Sequence, residues 1–148
     1  MDTQHLFINL KIKIMLKKLT VLCLGIVLFN SCLGDNEPNF TFEILPIDEA
    51  IVPASFTFGE QDTIAIKYSL KSSCYSFDNL YYEYRDTTRI VAVRAYVSLD
   101  EACAEVLTQK EYKFAVNVSQ EEDYVFKFWK GTDDTGVNIF EEFIVPVN

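Results

Sequence analysis

Histidine is almost missing from this chain of 148 residues: there is one, His5. A catalytic Ser-His-Asp triad, a Cys-His pair or a His-ligated zinc site therefore has nothing to draw on beyond the first few residues. Basic residues are also scarce. Thirteen Lys and Arg face 22 Asp and Glu, for a formal charge of −9, and Lys11, Lys13, Lys17 and Lys18 all sit at the N-terminus. The acidic remainder makes nucleic acid a poor partner. No apolar run reaches the roughly 20 residues a membrane-spanning helix needs, and there is no Gly-rich phosphate loop, no internal repeat and no EF-hand spacing. What the chain does have is apolar content. At 49% hydrophobic and 14% aromatic residues it can build a globular core, and its length fits one domain.

The N-terminus has the layout of a secretory signal. Lys17 and Lys18 precede the mainly apolar run Leu19 to Phe29, which a small polar stretch closes. Met15 would start a signal of ordinary length, which makes residues 1–14 an over-called start; either start gives the same mature chain. The run ends in Phe29-Asn30-Ser31-Cys32, which resembles the lipobox of bacterial lipoproteins cut by signal peptidase II. Ser31 matches the small residue before the cut, while Phe29 and Asn30 depart from the commonest pattern. Cys23, inside the apolar run, is a poor cleavage site. The following Leu33-Gly34-Asp35-Asn36-Glu37-Pro38 is similar to the acidic tethers of lipoproteins from Bacteroidota. The resemblance implies a signal peptide over 1–31, a lipid-bearing Cys32 as residue one, a tether over 32–39 and a domain over 40–148. It also implies an outer-membrane location, facing either the cell surface or the periplasm. At about 0.8 kcal/mol per buried methylene, several acyl chains hold where one is marginal.

On that reading 9 basic and 21 acidic residues remain, near −12, and His5 is gone. Cys74 and Cys103 are then the cysteines left over, in an exported, oxidising setting, and a disulfide between them is expected. Two separate buried thiols are the competing reading. Neither has a Cys-x-x-C neighbour, so thiolate metal binding and thioredoxin-like chemistry lack support. A carboxylate pair of the glycosidase kind stays formally open, but among 21 acidic residues such a pair arises by chance. No catalytic residue, metal or cofactor is assigned.

The body reads as strands. Phe40 to Ile44 alternates with a period of two, Pro46 and Pro53 interrupt, and Ser55 to Phe58 alternates again. In Thr63 to Leu70 the residues Ile64, Ile66, Tyr68 and Leu70 share a face. Leu80 to Arg85 sets Leu80, Tyr82 and Tyr84 on one side, and Thr88 to Leu99 sets Val91, Val93, Ala95 and Val97 opposite Arg89, Arg94 and Tyr96. Ser98-Leu99-Asp100-Glu101 matches a capping box that would open a short helix through Glu105, an irregular connection serving equally well. Tyr112 to Val118, Tyr124 to Phe128 and Asn138 to Val147 complete the set. Turn clusters every eight to twelve residues favour an antiparallel sandwich or barrel. The strand order resembles an all-β, immunoglobulin-like β-sandwich of about seven strands, with Tyr124 placed as a tyrosine corner and without the antibody disulfide.

Candidate contact residues are few. Tyr75, Tyr81 and Trp129 are the aromatics that could face solvent as a platform for a glycan or an envelope protein, with ordinary sheet packing as the competitor for each. Gly131 to Gly136 is an acidic turn, read as a hairpin loop rather than a calcium site. Asp62-Thr63-Ile64 and Asp86-Thr87-Thr88 resemble the Asp-Ser/Thr-apolar sites where exported Bacteroidota proteins carry O-glycans, with Thr63 and Thr87 as acceptors. The expectation is a lipid-anchored, non-catalytic binding or structural module. The alternatives are a subunit of an envelope assembly and a small carboxylate-dependent hydrolase.

Overall fold

The clearest alternating stretch of the sequence becomes the centre of a sheet. In the computed structural model, which describes residues 13, 15–17, 39–100 and 102–148, Gln61–Leu70 (β3) lies between Ile47–Ile51 (β2) and Thr108–Asn117 (β6). Ile64, Ile66, Tyr68 and Leu70 are buried as their spacing requires. The second sheet is built on Thr88–Ser98 (β5). One edge of β5 pairs with Tyr75–Arg85 (β4) in a hairpin. Its other edge is shared end to end by Phe40–Leu45 (β1) and Tyr124–Thr132 (β7), and Asn138–Val145 (β8) pairs with β7. These eight strands form a unit over Pro38–Asn148; the other unit, Met1–Glu37, contributes helical backbone at Lys13 and Met15–Lys17. Cys32, Cys23, His5, the lipobox and residues 32–38 of the tether lie outside the described residues.

The inner faces pack around Leu45, Ile47, Ile64, Val91, Val93, Phe126 and Phe128, all essentially without exposure. Phe56 sets its ring edge-on to Tyr124 and Phe126, at centroid distances of 5.3 and 6.1 Å. Pro46 marks the change of sheet: Leu45 closes β1 in the five-stranded sheet and Ile47 opens β2 in the three-stranded one, both fully buried. A residue without N–H costs no ladder bond at such a crossing. Tyr124 makes the expected corner, its hydroxyl accepting from Ser119 N at 3.0 Å and donating to Asn117 O at 3.5 Å.

Several local expectations are corrected. Ser55 to Phe58 is not a strand; Phe56 makes one parallel bridge to Val147, bonded through Phe56 N to Pro146 O at 2.8 Å. The strand of that region is β2, hidden between two prolines. No helix follows Ser98: Ala102 to Leu107 is irregular, tied down by Cys103 and by Ala104 N to Ser73 Oγ at 2.9 Å. The pairing of β5 with β7 is parallel, within sheets otherwise antiparallel, because β6 carries the chain across to the other sheet between them. Arg89 is not on the wet face with Arg94 and Tyr96. It shares the odd parity of Val91 and Val93 and is 6% exposed.

Candidate functional site

The outer face of the five-stranded sheet carries the aromatic residues that alternation leaves outside. Register fixes which they are, since residues directly opposite in a sheet share a face. Tyr81 is opposite Ala92, Ile90 beside Lys127, and Trp129 opposite Phe140. These side chains, with Ile44 and Asn138, surround a shallow depression of about 480 Å³. Its floor is low because Ala92 is small, and its walls are rings on β4, β7 and β8.

The ring orientations are held by polar contacts. Trp129 Nε1 donates to Asn138 Oδ1 at 2.9 Å, and the Tyr81 hydroxyl donates to Glu83 Oε2 at 2.5 Å. That hydrogen bond to a carboxylate raises the Tyr81 pKa above its ordinary value. Glu83 in turn accepts from Arg85 Nε at 2.6 Å, and the bonds from Arg85 and Tyr81 hold its carboxyl below the usual range. Lys127 pairs with Glu142 at 2.9 Å. The result is two fixed rings with a charged rim. Such a surface can stack on the apolar face of a ring or chain and hydrogen-bond at its margin.

The three platform candidates do not assemble as one. Tyr81 and Trp129 share the depression, with Tyr81 44% exposed. Tyr75 is opposite Val97 on the inner face, packs against the core, and donates to Glu43 Oε2 at 2.5 Å. A register shift between Phe77 and Asn79 explains the misplacement: one extra residue inverts parity along the strand, so Tyr75 and Tyr81 have the same numerical parity and opposite faces. Thr63 is exposed at the start of β3, and Thr87 is half-buried in the β4–β5 turn.

Alternation in β1 was visible in the sequence; the side it faces was not. Phe40, Phe42 and Ile44 point outward. Phe40 and Phe42 pack on Tyr96 at 4.8 and 6.3 Å, and Arg94 stacks over Phe42 at 4.6 Å. Phe40 and Phe42 extend the apolar surface beyond the depression at one end of the sheet, and Ile144, 63% exposed on β8, adds an apolar side chain at the other end. The acidic turn closes on itself. Asp133 Oδ1 accepts from Thr135 Oγ1, Thr135 N and Val137 N at 2.7, 2.8 and 2.9 Å, which lowers its pKa.

Cys74 and Cys103 are joined, their Cα atoms 5.4 Å apart. The bridge fastens the start of β4 to the connection before β6.

Two facing sheets, a tyrosine corner and strands that switch sheet at Pro46 define the class: a β-sandwich. The chain belongs to the ORF11 beta-sandwich domain family, whose match covers residues 64–139, 76 of the 148. No curated protein and no solved structure matches it.

Proposed function

We propose that this protein is a lipid-anchored, non-catalytic binding module of the bacterial outer membrane, of the Bacteroidota lipoprotein type, tethered through Cys32. The observation that carries the binding role is the joint placement of Tyr81 and Trp129 in one depression on the outer sheet face. Exposed apolar surface of this kind is characteristic of recognition sites. Among the described residues, the carboxylates whose acidity the fold alters, Glu43, Glu83 and Asp133, are made more acidic than usual. A general acid needs the opposite shift, which favours binding over hydrolysis.

A second reading, a subunit of an envelope assembly, draws on the breadth of the same face, where Phe40 and Phe42 at one end and Ile144 at the other are exposed beyond the depression. The two readings separate in one experiment. Native protein and Trp129→Ala are presented to a glycan array and, in parallel, extracted from cells in mild detergent and examined for co-purifying protein. Glycan signal lost in the variant supports the module. Partner protein lost in the variant supports the subunit, and identical behaviour of both proteins in both assays removes the outer face as the binding surface.

A further inference from the structure

The open side of the sandwich, between edge strands β4 and β6, holds a second concavity of about 540 Å³ that is separate from the outer face. Arg89 is built into it. Its guanidinium lies over the Tyr84 ring at 4.7 Å and the Tyr124 ring at 5.0 Å. It donates through Nη1 to Asp86 O and Thr88 O at 2.6 and 3.1 Å, and through Nη2 to Gln120 Oε1 at 2.6 Å. Each of those acceptors is neutral. Among the described residues no carboxylate reaches ion-pair distance of Arg89, although the other ion pairs of the domain engage seven Lys and Arg side chains.

A buried charge is costly unless an opposite charge answers it, and an acidic chain has many carboxylates to offer. Gln120 stands where a glutamate would neutralise the site. Its own amide donates to the backbone oxygens of Glu122 and Asp123 at 3.1 and 3.2 Å, which turns its Oε1 toward Arg89. Arginine has five N–H donors; the three bonds above use three of them, and the Tyr82 hydroxyl is a further hydrogen-bonding neighbour of the guanidinium. Arg89 lines the cleft, and a donor left over on its guanidinium is available to a ligand there. The lining is mixed: Leu80, Phe114 and the rings of Tyr82 and Tyr84 give its apolar part, with Tyr82 and Phe114 in ring contact at 5.8 Å, and Asn117 and Ser119 add polar groups beside Arg89.

We propose that this cleft binds a small ring-bearing carboxylate, with Arg89 as the counter-ion and Tyr84 and Phe114 holding the ring. A guanidinium fork suits a carboxylate, and the volume is that of small-molecule sites. The acid has two conceivable sources, the uronate of an acidic glycan and an aromatic acid. The site is independent of the outer face and does not rest on the function proposed above.

The test is ligand-observed saturation-transfer NMR on the full chain in detergent micelles, titrating glucuronate and benzoate beside their neutral counterparts, glucose and benzyl alcohol. At least one acid binds while its neutral counterpart does not, and the acid that binds identifies the source. Gln120→Glu supplies an internal counter-ion and weakens binding roughly tenfold or more, the scale of a lost charge-assisted hydrogen bond, without loss of thermal stability. Tyr84→Ala removes a ring that is 71% exposed; it weakens binding several-fold and leaves the fold intact, so the proposal remains testable where Arg89→Gln fails to fold. Trp129→Ala, on the other face, leaves binding unchanged. Failure of both acids to bind, equal binding of the neutral compounds, or full binding by Gln120→Glu overturns the proposal.

Discussion

Single side chains set several energies that can be read one at a time. The Tyr124 side chain is buried and its hydroxyl is bonded to Ser119 N and Asn117 O, so Tyr124→Phe removes both bonds and lowers stability by about 0.5–1.5 kcal/mol, measured by chemical denaturation. Glu43 gives a pH effect. Burial opposes its charge, yet the hydrogen bonds from Lys71 and Tyr75 prevail and hold its pKa below 4.5. A group with a depressed folded pKa contributes stability above its unfolded value and loses it as the pH falls through the folded one. Glu43→Gln is therefore expected to be less stable than the native protein above pH 4.5, with the difference shrinking at lower pH, as thermal melts across that range would show. The corner at Tyr124 was legible from one aromatic residue after an acidic turn. The Glu43 cluster was not, because its members come from β1, the β3–β4 turn and β4, and no local pattern links them.

At the scale of elements, the disulfide joins two irregular segments that few strand bonds reach. Its closed loop spans 29 residues, for which chain entropy gives about 3–4 kcal/mol. The double substitution Cys74→Ser, Cys103→Ser should lower the melting temperature accordingly, and reductant should shift the native protein toward the variant's value. A melt insensitive to reductant would contradict this. The strands β3, β5, β6 and β7 were legible because each carries a long alternating apolar face. Two features defeated the same reading. β2 is short and lies between prolines, and the register shift in β4 reverses the face of everything before it, which moved Tyr75 from the expected surface to the core. Alternation in β1 was equally clear, but alternation reports only that two faces differ.

For the whole molecule the expectation concerns location and use. Protease shaving of intact cells, beside Cys32→Ala with immunoblotting of membrane and soluble fractions, should show membrane retention that depends on Cys32. Loss of signal on shaving would put the domain outside the cell, and protection would put it in the periplasm; a variant that fractionates like the native protein removes the lipid anchor. The sequence by itself made the class of fold and the tyrosine corner legible, because period-two patterning and residue chemistry are local properties that survive without coordinates; for Cys74 and Cys103 it left a disulfide and two separate thiols open, and the structure joins them. Only the tertiary structure decided which faces are wet. It brought Tyr81 and Trp129 into one depression, sent Tyr75 inward, exposed Phe40 and Phe42, and enclosed Arg89 between Tyr84 and Tyr124. Which side of a strand meets the core depends on register and on the partner sheet, and both are set by residues far apart in the chain.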